Sequence, residues 1–166
     1  MIVMGIDPGT RHLGWGVVSV AGTRIAHVAH GVVDAPTDQP LAARLGVLDD
    51  GVRAVLAEFV PGECGVESIF FARDASAAAK LGHARGVVLL ALHRAGVAVF
   101  EYPPATVKRA VAANGRADKE QVARMVGAML RLREPIRADA ADALAVAITH
   151  VQSAPARRIA ALAARG

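Results

Sequence analysis

Four acidic residues of this sequence stand where carboxylates can do chemistry. Asp7 closes the apolar run Met1–Ile6, and Glu67 closes a second short run at 63–66. Asp139 and Asp142 stand three apart at the head of an Ala-rich stretch, so on a helix they share one face. Carboxylates brought together repel one another and call for protons or cations. Hard oxygen donors suit magnesium or manganese. Two such ions, about 3.5–4 Å apart, clamp a phosphodiester: one helps a water ionise and attack phosphorus, the other neutralises the leaving 3′ oxygen. Each acid also has a plainer reading. Asp7 before Pro8-Gly9 is an Asx-turn position, Glu67 a solvated strand end, and Asp139 with Asp142 a helix-capping arrangement. A fold that gathers all four favours the first account.

The elements that must position them follow from periodicity. Residues 1–7, 14–20 and 24–33 read as three strands, with turns at Asp7-Pro8-Gly9-Thr10 and Ala21-Gly22, and form an antiparallel meander. Leu41, Leu45, Leu48, Val52, Val55 and Phe59 recur at helical spacing and predict a helix over 40–59 that Pro61-Gly62 ends. A strand over 63–67, a helix over 74–95, a strand over 97–101 and a short helix from Pro103-Pro104 to Asn114-Gly115 come next. Helices over 118–131 and 138–151 follow, with a last short one near 156–164. Strand–helix–strand units imply parallel pairing by right-handed crossover. The expected fold is α/β: a mixed five-stranded sheet flanked by helices on both faces, in one domain over 1–166. If the strands ending in Asp7 and Glu67 are parallel neighbours, both acids leave at the same sheet edge. The small residues after Asp142 let their helix lie close against the sheet.

Bulk properties narrow the setting. Hydrophobic content of 54% predicts a folded core. No run approaches the ~18 apolar residues that cross a membrane, and Asp7 interrupts the first apolar stretch before it reads as a secretory signal. Cys64 is the only cysteine, which rules out an intrachain disulfide and argues against a cysteine zinc site; it reads as a small buried strand residue. A cytoplasmic protein is expected. The net charge of +4 and pI near 10 favour a polyanionic partner, and metals on the acids would reconcile an acidic centre with a DNA-binding surface.

The segments GIDPGTRHLGWGVV, VESIFFARDASAAAKLGHARG and ADAADALAVAITH, in this order and spacing, resemble the three acidic blocks of the RuvC family of Holliday-junction resolvases over residues 1–151. The resemblance implies an RNase H-like fold and a homodimer. It implies two Mg2+ ions per active site, with Mn2+ as substitute, and paired symmetric nicks in a four-way DNA junction during recombination and repair. A branch-migration motor is an implied working partner. Asp7, Glu67, Asp139 and Asp142 match the catalytic, metal-binding acids position by position. Ser68 stands where relatives often carry Gln, and some relatives place His at the position of Asp139.

The same resemblance singles out DNA-binding candidates. Phe70 matches the aromatic that stacks on an unpaired base at the junction, a contact worth ~1–3 kcal/mol; the plain reading of both Phe70 and Phe71 is core, and which of the two stacks stays open. Arg73 in the same loop, Lys108 and Lys119 are expected phosphate contacts, with Lys80, Arg85, Arg109 and Arg116 as lesser candidates for DNA binding. The plain reading of each lysine is a solvated surface cation. The six histidines show no repeated metal spacing and read as surface or core residues. Three rival functions remain: an actin-like or sugar-kinase nucleotide-binding half, which needs a second phosphate loop and domain; an idle DNA-binding module of the same fold, which needs no four acids; and a related nuclease acting on RNA–DNA hybrids or transposon ends.

Overall fold

A computed structural model describes residues 1–68, 75–112 and 117–163, with side chains through residue 156. The chain opens with β1 (Ile2–Asp7), β2 (His12–Ala21) and β3 (Arg24–Asp34), followed by α1 (Leu41–Phe59) and β4 (Glu63–Glu67). Then come α2 (Ala75–Arg94), β5 (Ala98–Tyr102), α3 (Pro104–Ala112), α4 (Lys119–Leu130) and α5 (Ala138–Ala163). The sheet order is β3-β2-β1-β4-β5, with β1–β2 and β2–β3 antiparallel and β1–β4 and β4–β5 parallel. This is the mixed five-stranded sheet expected from the sequence, with β1 at its centre. An apolar run such as Ile2–Ile6 suits that place because it is covered on both faces.

The side chains of β1 alternate between two cores, as period-2 geometry requires. Met4 and Ile6 pack with Leu48, Val52, Val88 and Leu92 of α1 and α2. Val3 lies on the other face among Val107, Val126, Leu144 and Ile148 of α3, α4 and α5. Cys64 is fully buried in the first core, which pushes its thiol well above the ordinary range and leaves it inert.

Three departures from the sequence reading have local causes. Helix α1 ends at Val60, a non-glycine residue in the left-handed conformation (φ 45°), whose N–H closes on the Leu56 carbonyl. The two helices expected over 138–151 and 156–164 are one, α5, and Pro155 lies within it. A proline removes one i→i−4 hydrogen bond, but the flanking turns carry the helix through. The pairing of β2 with β3 shifts by one residue at Val17/Val18, so Val28 is the extra residue of a β-bulge. Among the described residues no helix is long and apolar enough to cross a membrane.

Candidate active site

The strand alternation decides where the first two acids point. Val3, Gly5 and Asp7 face α5, as do Glu63, Gly65 and Glu67 of the parallel neighbour β4. Both strands run toward the same edge, so Asp7 and Glu67 emerge side by side there. Their side chains share a hydrogen bond. Burial, and then the facing charges of Glu67 and Asp142, push Asp7 up to about 8. Glu67 is raised mainly by burial as well. At neutral pH the metal-free pair therefore retains a proton, with Asp7 donating to Glu67.

Helix α5 brings the other two acids by crossing the sheet over glycines. Gly14 of β2 is paired with Asp7, and a β-carbon there would overlap the backbone carbonyl of Asp139. One at Gly5 would overlap the backbone of Ala143 and Ala147. Gly16 and Gly65 lie under the side chains of Leu144 and Val146. With no side chain between them, helix and strand backbones approach closely. The first turn of α5 thereby rests over the strand ends that carry Asp7 and Glu67. Asp142 is half-buried, and burial raises its pKa against the opposing pull of Lys119. Lys119, at the head of α4, places its Nζ 3.2 Å from an Asp142 carboxylate oxygen. Burial tends to lower the pKa of Lys119, but Asp142, Asp7 and Asp139 together outweigh it and raise the net value. Asp118, one residue earlier, caps α4 through the Gln121 N–H at 2.7 Å and so fixes where Lys119 begins.

A second bracket holds the approach to α5. Arg137 donates two hydrogen bonds to Asp34, at 2.6 and 2.8 Å, and His12 makes a third contact with Asp34 at 2.7 Å. The Arg137 and His12 hydrogen bonds hold the Asp34 carboxyl well below the usual carboxylate range. Arg137 stands two residues before Asp139, so this bidentate pair ties the head of the acid-bearing helix to the ends of β2 and β3. On the other side of Asp7, Arg44 of α1 donates to the Thr10 carbonyl through Nε at 3.0 Å and also through Nη2, steadying the loop after β1.

Sequence reasoning placed Asp7, Glu67, Asp142 and Lys119 in one neighbourhood, and the structure brings them together. Asp139 is one turn before Asp142 on α5, and its charge acts on Asp142. Lys108, half-buried on α3, acts electrostatically on Glu67 and Asp142. Lys80 is exposed on α2. Arg85, a lesser candidate, is engaged in an ion pair with Glu101 at 2.5 Å. Phe70, Phe71, Arg73 and Arg116 lie outside the described residues. The glycine cradle under α5 and the Asp34–Arg137–His12 bracket were missed. Their only sequence signals are the alternate glycines of GWG and a cation two residues ahead of an acid.

Among the described residues no three of His, Cys, Asp and Glu converge to hold a single ion in the arrangement seen, in which Asp142 pairs with Lys119. The donor chemistry nonetheless fits hard cations. Every donor is a carboxylate oxygen. A proton between Asp7 and Glu67 and an ammonium on Asp142 mark the places where positive charge is already required.

Residues 3–150 match the family model described as crossover junction endodeoxyribonuclease RuvC. The chain belongs to the RuvC family. A RuvC of Sorangium cellulosum is 58% identical over 166 residues, covering 100% of this chain and 92% of that protein. A RuvC of Rhodopseudomonas palustris is 49% identical over 148 residues, covering 89% and 85%. Among solved structures, Thermus thermophilus RuvC in complex with a Holliday junction substrate superposes with a TM-score of 0.85 at 44% identity, covering 93% of this chain and 94% of that one. The yeast mitochondrial Holliday junction resolvase, at 12% identity and a TM-score of 0.66, shares the fold. The architecture is thus the RNase H-like fold of this group of nucleases. A nuclease of this family implies dependence on a divalent metal in general.

Proposed function

We propose that this chain resolves four-way DNA junctions by hydrolysing one phosphodiester on each of two opposing strands. The observation that carries the reading is the meeting of Asp7 and Glu67 at one sheet edge, under a helix that delivers Asp142 to the same place. Residues 1–166 act as one nuclease domain. Asp7, Glu67, Asp139 and Asp142 hold two Mg2+ ions per site, with Mn2+ as substitute. When bound, such ions supply Lewis acidity toward the scissile phosphate, the attacking water and the leaving oxygen.

The chain's own residues do the rest. With the ions bound, Asp7 and Glu67 would hold them as paired carboxylates, their shared proton released to solvent, and Asp142 would be a ligand in place of its pairing with Lys119. Lys119 is then free to turn its charge to a backbone phosphate, and Lys108 adds a second cation on the same side. Phe70 stacks on a base at the open junction centre, while Arg73 and Lys80 reach backbone phosphates. Membership of the RuvC family and the complex of Thermus thermophilus RuvC with a Holliday junction support the junction as substrate.

The deciding experiment compares magnesium-dependent cleavage of a four-way junction, an RNA–DNA hybrid and a linear duplex by the same protein. Paired nicks in the junction with little cutting of the others are expected. Preferential cutting of the hybrid would move the chain to another substrate class, and tight ATP binding without cleavage would favour the actin-like alternative.

Paired nicks need two sites related by a two-fold axis, which a C2 homodimer provides. The Ala-rich helix α2 offers a face for it. Sedimentation should show a dimer free or on the junction, and a monomer in both states would sink this part. A branch-migration motor is a further partner, carried by the resemblance alone.

Junction affinity should fall steeply with added salt as phosphate contacts release counterions. Lys108→Ala and Lys119→Ala should each flatten the log–log slope by about 0.9 if each loses one phosphate contact. Slopes equal to that of the unsubstituted protein would place both lysines away from DNA.

A further inference from the structure

His27 and His30 are three apart on β3, and on a regular strand residues three apart face opposite sides. The bulge at Val28 cancels that. Val18 pairs with His27 and Gly16 with His30, and both partners face α5. The two imidazoles therefore lie on one face, with Nε2 of His27 2.8 Å from Nδ1 of His30. Their ring centroids are 5.0 Å apart. One nitrogen of this contact bears a hydrogen and the other offers a lone pair. Both rings are half-buried, and a cleft of about 300 Å³ opens beside them, lined by His30, Leu132, Arg133, Glu134 and Pro135.

We propose that His27 and His30 form a cation site of their own, separate from the acidic centre and selective for borderline transition ions such as zinc. A ring nitrogen from each residue is a ligand, and water from the cleft completes the coordination. Two nitrogens bound to zinc at about 2.0–2.1 Å stand ~3.3 Å apart at the tetrahedral angle. The pair needs to open by only about half an ångström, which small rotations about the half-exposed side-chain torsions provide, and the hydrogen of the contact passes through solvent to the far nitrogen of its own ring, so that both facing nitrogens offer lone pairs. No third His, Cys, Asp or Glu among the described residues stands with the pair, so the site has two protein ligands.

The protonation state suits this role. Burial lowers the pKa of both rings, and for His27 the neighbouring His30 adds to the effect. Both rings are neutral at pH 7, and only the neutral imidazole ligates a metal. Arg133 and Glu134 at the cleft contribute opposite charges, so neither sign dominates the entrance. The two centres differ in hardness: imidazole prefers zinc, copper or nickel, whereas the carboxylates prefer magnesium or manganese. Binding at β3 is therefore expected to survive an excess of magnesium.

Zinc is titrated into the full-length protein in excess magnesium, with the ring signals of all six histidines followed by NMR and the heat followed by calorimetry. A saturable phase of one zinc per chain is expected, confined to the signals of His27 and His30, together with a rise in melting temperature. His27→Gln and His30→Gln should each abolish that phase while junction cleavage in magnesium stays unchanged. Because the direct readout is on the unsubstituted protein, it stands even if a variant melts early. Absence of a saturable shift at the two rings, or binding that both variants retain, or binding lost on Asp7→Asn instead, overturns the assignment.

Discussion

Asp7→Asn should lower junction cleavage in magnesium by about 10³-fold or more while leaving junction binding intact. Metal stabilisation of a transferring phosphoryl group is worth several kcal/mol, and each 1.36 kcal/mol is tenfold in rate. An amide keeps the size of the side chain but is a poor ligand for a hard cation. Glu67→Gln, Asp139→Asn and Asp142→Asn should fall in the same direction. Binding measured without metal should hold for Asp7→Asn, whose carboxyl already carries the pair's proton there, and should hold or tighten for Asp139→Asn and Asp142→Asn, which remove negative charge from the proposed DNA-binding side. A variant that binds and melts normally yet cuts at the unsubstituted rate is not a metal ligand.

The same substitution has a stability signature with a definite sign. Asp7 stands at about 8 in the folded metal-free protein, against 3.8 ordinarily. A raised acid binds its proton more tightly when folded, so its stabilisation is complete below the unfolded value and is lost as pH rises through the folded one. His27 and His30 are lowered, and their opposite dependence is confined to below about pH 6.5, the ordinary histidine value. Between pH 6.5 and 8 the metal-free protein should therefore lose about 1–2 kcal/mol of stability. Asp7→Asn should be flatter over that range, because only the raised Glu67 and Asp142 remain, and the more stable of the two at pH 8. Magnesium should restore the unsubstituted protein there and leave the variant unmoved. A metal-free melting temperature that rises from pH 6.5 to 8 would show that the Asp7–Glu67 pair does not hold a proton.

Much of this arrangement was legible because it rests on local patterns. The runs ending in Asp7 and Glu67 have strand length, bounded by turn residues; that they are parallel neighbours was only a condition in the sequence, and the pairing of β1 with β4 meets it. The i,i+3 spacing of Asp139 and Asp142 needs only a helix. Tertiary pairing carries what was hidden. Arg137 and Asp34 are distant in the chain, and nothing in either segment announces the other. The His27–His30 contact depends on one inserted residue in β3, and period-2 reasoning assigns the two rings to opposite faces. The sequence separates a helix over 138–151 from one near 156–164, yet α5 continues from one into the other through Pro155. The glycines of β1 and β2 read as ordinary strand glycines until the helix above them is known.

Those glycines give the second large effect. Gly14→Ala should lower cleavage by about 10²-fold, the scale of a 1 Å misplacement at a reacting centre. It should also cost about 1–3 kcal/mol of stability through overpacking. The added methyl meets the backbone carbonyl of Asp139, which cannot rotate aside as a side chain can. The only relief is to lift the head of α5 from the sheet. Leu144, Val146 and Ile148 hold the middle of that helix in the core, and Arg137 holds its approach to Asp34. The displacement therefore concentrates in the turn that carries Asp139 and Asp142, while Lys108 of α3 and Lys119 of α4 stay in place. Junction binding should be nearly unchanged, and the magnesium concentration for half-maximal cleavage should rise. Gly46 in α1 is the control, since a β-carbon there meets nothing within 4 Å. Gly46→Ala should leave cleavage alone and add about 0.5–1 kcal/mol of helix stability. If Gly14→Ala melts and cuts like Gly46→Ala, helix α5 does not bear on the strand at Gly14, and the acids of its first turn are placed by some other contact.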